Sequence, residues 1–406
     1  METTSEIGAH ETRFSRRTVL ALAAAGAGVT AASAVPEASF AADPADGPIL
    51  KPLPERYFTV YGTNAEMRWD SVDAHRHLTP QPRLFVRNHT RTPRIDPHTY
   101  RLSVFGDGLR RARTEDEAVS LSLRDLRRLP VRRVTTVHEC TGNGRSFFSS
   151  QQGTPASGTQ WKLGAVGAVT WEGVRLADVL RRLGIRPDAV DVMPSGLDPD
   201  YVDKGIDYGA VRRPLPVRKA LDDALLAWGV NGRPLLPDHG FPLRLVVPGW
   251  VGIASIKWLG SLEVSRSRLT SPWNTKWYRM TGGDWSADSP PLTVNPVRSA
   301  WELAEGATLP RRGGQLLRGR SWSGAGPIRK VEVSIDGGDT WRRARIEDRH
   351  PAWARWSFRW PGAAAGEHAL LARATDIHGR TQPRVARFND SGYFFDAVVE
   401  HRVLVP

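Results

Sequence analysis

The chain has one cysteine, Cys140, in 406 residues. A single thiol excludes an intramolecular disulfide and any zinc or iron–sulfur site built from cysteines alone. There is no C-x-x-C-H, so no c-type haem is attached covalently. No run of five or more Lys/Arg occurs either. The 56 basic residues exceed the 43 acidic ones and leave a net charge of +13, yet the arginines stand singly and in pairs. That scatter argues against nucleic acid and for attraction of a small anion or an acidic protein. Apolar residues at 40% and charged residues at 24% exclude a collagen-like, coiled-coil or disordered chain. Punctuation is plentiful: 30 Pro and 38 Gly predict many short elements joined by turns rather than a helical bundle. The 15 tryptophans predict large aromatic cores before they predict a binding site.

The first segment is an address. Ser15-Arg16-Arg17-Thr18-Val19-Leu20 leads into an Ala/Gly/Val run that ends near Ala34, too short and too weakly apolar for a membrane span. Paired arginines before such a run resemble a twin-arginine export signal, with cleavage after Ala34 or near Ala41–Ala42. Residues 1–42 are therefore set apart, and a periplasmic, secreted or cell-envelope location is expected. That route carries folded proteins, which suits a cofactor inserted before export.

The remainder predicts an α+β protein. Residues 43–280 form a mixed α/β domain that begins with an irregular leading stretch, and 290–406 form an immunoglobulin-like β-sandwich. Val131–Cys140 is β-rich. Arg175–Gly184 reads as a short helix stopped by glycine. Val217, Ala220, Leu221, Ala224, Leu225 and Trp228 recur at helical spacing up to Gly229. Leu243–Val247 is a buried-strand run. Alternation over Lys330–Ile335, the turn Asp336-Gly337-Gly338-Asp339 and a strand starting near Thr340 predict a hairpin. Ala369–Ala374 and Phe394–Val405 hold the last strands.

The chemistry gathers at Cys140. A strand delivers it to the loop Thr141-Gly142-Asn143-Gly144-Arg145, where glycine permits close backbone approach and Arg145 supplies a cation that favours thiolate. His138, two residues earlier on the same strand face, would serve a cysteine-nucleophile hydrolase as base. Glu139-Cys140-Thr141-Gly142-Asn143-Gly144-Arg145, however, resembles the molybdenum-ligand motif of the sulfite oxidase family, whose usual form is E/Q-C-A-G-N-x-R. Further segments agree in order: Phe85-Val86-Arg87-Asn88-His89, Trp161-Lys162-Leu163-Gly164-Ala165, Asp238-His239-Gly240-Phe241-Pro242-Leu243-Arg244, Val246-Val247-Pro248-Gly249-Trp250 and Ser255-Ile256-Lys257-Trp258-Leu259.

The resemblance implies a molybdenum-molybdopterin cofactor, with Cys140 as the protein ligand to the metal. It implies that Arg244, Lys257 and His239 grip the pterin phosphate with help from Ser255 and Ile256. Phe85, Val86, Arg87, Asn88 and His89 would lie along the cofactor, and Asp198 would contact the pterin, with Asp200 as a rival. Arg87, Arg145 and Tyr278 would serve the substrate. The family's third anion-binding arginine falls in a segment W-N-L-R-G, which here reads Phe388-Asn389-Asp390-Ser391-Gly392. Ser391 replaces that arginine and Asp390 adds an acid beside it, so the expected substrate is a small oxyanion, sulfite first, or a sulfoxide. Electrons would pass to an external carrier such as a c-type cytochrome, and the β-domain would serve a homodimer.

Overall fold

The computed structural model describes residues 47–406 except Arg312. The export signal expected over 1–42 lies outside the described residues. Two five-stranded sheets organise the first part of the chain. One runs Leu215–Pro216, Asp191–Gly196, Leu259–Ser265, Leu102–Phe105, Val119–Leu121, and its central pair, Leu259–Ser265 with Leu102–Phe105, is parallel. The other runs Arg233–Pro234, Leu225–Val230, Val166–Arg175, Val131–Glu139, with Arg244–Val246 also paired to Leu225–Val230. Short helices lie against them, among them Leu176–Arg182, which ends before Gly184 at φ +79° as its glycine stop requires.

One predicted element is replaced. The helical spacing over 217–228 yields a helix only at Val217–Asp222, and Leu225–Val230 is a strand buried at every position. A strand with neighbours on both edges and both faces covered has no polar side, so its apolar run mimics a helix stripe. Gly229 marks a bulge against Val166–Arg175 rather than a helix end. The leading stretch is also more regular than expected: Phe58–Tyr61 and Asn64–Met67 form a hairpin, and Ala65 exchanges backbone hydrogen bonds with Val86 at 2.9 and 2.8 Å.

From Arg298 onward two sheets face each other. Four strands run Arg298–Trp301, Gln315–Trp322, Ala354–Trp360, Arg345–Arg349, and five run Ala307–Thr308, His401–Val405, Gly366–Asp376, Ile328–Ser334, Arg342–Arg343. Val331 and Val333 are fully buried, as their alternation predicts, with Trp301, Trp356 and Trp360 beside them. The tryptophans are core residues in the main: Trp161, Trp171, Trp273, Trp322 and Trp353 are likewise almost completely covered. The sandwich is not independent of the first sheets. A third apolar cluster joins Met67, Trp69, Phe148 and Val166 to Ala300, Trp322, Trp353 and Phe395, and the segment 386–398 returns to the cysteine loop, where Phe394 N donates to Thr141 O at 3.0 Å.

Candidate active site

The strand Val131–Glu139 ends at the loop that carries Cys140. Cys140 N donates to Ala165 O at 2.9 Å, and the loop closes through Asn143 N to Cys140 O at 3.0 Å and Arg145 N to Gly142 O at 2.9 Å. Two glycines are structural necessities here. Gly144 sits at φ +83°, and a β-carbon on Gly142 would lie 2.5 Å from an Arg145 guanidinium nitrogen. Glu139 braces the turn: its carboxylate accepts from Asn143 Nδ2 at 2.9 Å and from Trp322 Nε1 at 3.0 Å.

Cys140 opens into a cavity. Phe85, Arg87, Asn88 and His89 line it, with Asp198, Tyr278 and Thr141. His138, His239, Arg244, Ser255, Ile256 and Lys257 line it too. Thus the structure brings nearly all the sequence-derived candidates to one cavity. Asp200 is exposed and off the pocket, which decides its rivalry with Asp198. Val86 is a correction. Its side chain packs with Ile49, Phe58 and Ala65, and its N–H and carbonyl are both used by Ala65, so nothing of it is left for a ligand. Arg145 stands behind the lining, where Nε donates to Ser391 O and one terminal nitrogen to Thr159 O, each at 2.7 Å.

The cationic side of the cavity is tightly built. Arg244 is 2% exposed; it donates to His239 O and Ser255 O, each at 3.0 Å, and lies 3.3 Å from His138 Nε2. Burial lowers its pKa to about 9. Lys257 keeps part of its surface open to the cavity, yet its ammonium, bonded to Asn88 Oδ1 and to Asp238 O, has its pKa held well below the usual range by burial and then by Arg244. The same burial, reinforced by these cations, keeps His89, His138 and His239 neutral. A pocket with several desolvated cations attracts an anion to offset them.

His89 is oriented by residues that sequence reasoning missed. Trp273 Nε1, which can only donate, bonds to His89 Nε2 at 3.1 Å, so Nε2 is the unprotonated nitrogen. Arg87 donates to the same atom at 3.0 Å, and the Tyr278 hydroxyl lies 3.5 Å away. Tyr278 adopts φ +59°, a left-handed state uncommon for non-glycine residues. Its ring stacks on Tyr393 at 5.1 Å and 14°, and Arg213, buried and donating to Trp273 O and Leu292 O, lies 5.7 Å from the same ring. Asp238 was also missed: fully buried, it accepts from Leu50 N, Lys51 N and Thr92 Oγ1 at 2.9, 2.7 and 2.6 Å and ties the leading segment to the pocket. The aromatic run Trp273–Tyr278 and the Asp238-His239 pair were the available signals.

Three expectations change in detail. Burial raises the Cys140 thiol pKa, while Arg87, the Gly142 backbone and Arg145 act in the opposite direction. The expected thiolate is therefore a product of metal binding, which displaces the proton outright. His138 is engaged by Arg244 and stacked on Phe85, so its geometry serves the cavity wall rather than a nucleophile. Asp390 is exposed and lies against Gly282, so its charge is directed away from the pocket, whereas Ser391 contributes its carbonyl to Arg145.

The cavity fits a molybdopterin. Cys140 offers a soft sulfur. His239 is 2% exposed, and neither ring nitrogen makes a well-formed hydrogen bond to the described residues; beside Arg244 and Lys257 this leaves donors and charge for a phosphate. Residues 89–273 match the oxidoreductase molybdopterin binding domain, and 306–405 match the Mo-co oxidoreductase dimerisation domain. Mitochondrial sulfite oxidase of Rattus norvegicus is 36% identical over 326 residues, covering 76% of this chain and 57% of that protein. Sulfite oxidase of Gallus gallus is 37% identical over 376 residues, covering 87% of this chain and 77% of that one. The chain thus spans little more than half the length of the rat protein. Among solved structures, the sulfane dehydrogenase SoxCD from Paracoccus pantotrophus superposes with a TM-score of 0.70 at 26% identity, covering 82% of both chains. A cysteine at a strand end beside a cationic cradle, together with these relatives, therefore places this chain in the sulfite oxidase family of molybdopterin-dependent oxidoreductases.

Proposed function

We propose that the protein oxidises sulfite to sulfate at a molybdenum-molybdopterin centre and passes the electrons to an external acceptor. The observation that carries this reading is the placement of one thiol and a set of cations around a single cavity: Arg244 and Lys257 beside His239, and Arg87 beside Cys140, with Arg145 behind the lining. Bound there, the molybdenum centre supplies the transferable oxygen and takes up the electron pair.

The chain's own residues do the rest. Cys140 Sγ holds the metal as thiolate. Arg244, Lys257 and His239 hold the pterin phosphate, and Asp198 holds the pterin. Arg87, on the lining, binds and orients the oxyanion with its planar guanidinium, and Arg145 adds its charge from behind, held by the Ser391 and Thr159 carbonyls. Burial pushes the Tyr278 phenol above its ordinary range, so at neutral pH it keeps its proton and can donate to a bound oxygen. Trp273 preserves the His89 tautomer with Nε2 unprotonated.

One cysteine and no C-x-x-C-H leave the chain without an iron–sulfur cluster or c-type haem of its own. A soluble c-type cytochrome is the acceptor we infer. Residues 306–405 supply the surface for a homodimer. We further infer export through Arg16-Arg17, which predicts that the Arg16→Lys/Arg17→Lys double variant stays in the cytoplasm on fractionation.

The deciding experiment is metal analysis of purified protein followed by a sulfite assay with ferricyanide. About one molybdenum per chain and steady sulfite-dependent reduction are expected. A loaded enzyme that ignores sulfite but reduces sulfoxides with a reduced dye would overturn the substrate assignment.

A further inference from the structure

Thr141 follows the cysteine, and its hydroxyl is out of keeping with its surroundings. The side chain is 1% exposed and lines the cavity beside Cys140, yet Oγ1 makes no hydrogen bond to protein. The backbone is pinned, because Phe394 N donates to Thr141 O at 3.0 Å. A buried hydroxyl left without a partner costs about 1–3 kcal/mol. The usual form of the motif has alanine in this place, so the loop closes without the hydroxyl. The cavity that Thr141 lines is where a partner for it can enter.

We propose that the Thr141 hydroxyl donates a hydrogen bond to a sulfur or oxygen atom of the bound molybdenum centre and thereby stabilises its reduced state. The inference rests on the molybdenum reading above. A hydrogen bond to a ligand atom withdraws electron density from the metal, and ligand atoms accept more strongly when the centre carries the extra electrons. Cys140, the implied metal ligand, is the preceding residue and lines the same cavity, and Oγ1 is the one polar atom that the Thr141 side chain offers.

The test uses full-length, cofactor-loaded protein and reads the metal rather than turnover. Thr141→Ala removes the hydroxyl and restores the usual residue. Thr141→Val removes it at nearly constant shape, and Thr141→Ser keeps it without the methyl group. Redox titration followed by the metal's absorption and paramagnetic resonance should show the oxidised-to-reduced ratio at fixed potential rising about three- to tenfold in Thr141→Ala and Thr141→Val, as loss of one hydrogen bond of ordinary strength requires. Tenfold corresponds to about 59 mV for one electron. Thr141→Ser should titrate with the wild type. Equal titrations in all four proteins, or a Thr141→Ser shift as large as that of Thr141→Ala, would overturn the proposal while the molybdenum content still upheld the cofactor. A wild-type protein without molybdenum would instead remove the reading on which it rests.

Discussion

Arg298 Nε lies 2.9 Å from Glu139 Oε1, with the two side chains 4% and 1% exposed. The N–H does not align with the carboxylate, so the contact is an ion pair rather than a hydrogen bond. Arg298 belongs to the first strand of the sandwich and Glu139 precedes the metal-ligand cysteine. A terminal nitrogen of Arg298 also donates to Asn143 O at 2.8 Å. The β-sandwich therefore holds the active-site loop through a buried charge pair.

Breaking that pair from one side leaves an uncompensated buried charge. Arg298→Met is expected to destabilise the protein by about 3–5 kcal/mol in denaturant titration. Adding Glu139→Gln should recover part of the loss, because no buried charge then remains and the amide oxygen still accepts from Trp322. A double variant no more stable than Arg298→Met would show that packing, not charge, dominates the contact.

Cys140→Ser should abolish turnover and remove the sulfur-to-metal absorption while leaving the fold intact. The hydroxyl is a hard, weakly coordinating replacement of similar size. Its melting temperature should stay within about 2–4 °C of wild type, the shift expected for about 1 kcal/mol in a chain of this size. Unchanged activity would refute the ligand assignment.

Asp198 gives a pH dependence to the cofactor-free protein. Burial raises its carboxyl to about 6, against about 3.9 in an unfolded chain. Its contribution to stability is complete below about pH 4 and is lost as pH rises through about 6, because the folded state then holds a desolvated carboxylate. The ceiling is about 3 kcal/mol at 1.36 kcal/mol per unit. Asp198→Asn should flatten stability across this window; a variant that tracks the wild type from pH 4 to 7 would show an unperturbed carboxyl.

Ser391→Arg returns a third guanidinium to the neighbourhood of Arg145, whose Nε now meets the Ser391 carbonyl. One added charged partner is worth about 1.5–3 kcal/mol, so KM for sulfite should fall by about one to two decades with kcat little changed. An unchanged or higher KM would place Ser391 outside the anion site.

The strand before Cys140, the glycine-stopped helix and the β-hairpin at Asp336–Asp339 were legible because each depends on local rules: alternation, turn chemistry and the conformations open to glycine. The strand Leu225–Val230 was misread because its environment, not its neighbours in sequence, sets its character.

The sequence by itself determined the chemical vocabulary of the site: one soft sulfur, a few arginines, a lysine and histidines in recognisable order. Tertiary structure alone decided which of these face the cavity. It turned Val86 into the core, set Arg145 behind the lining on two carbonyls, and aimed Trp273 at His89 across 184 residues. Burial and the pairing of distant polar groups are properties of the packed chain, and no local pattern encodes them.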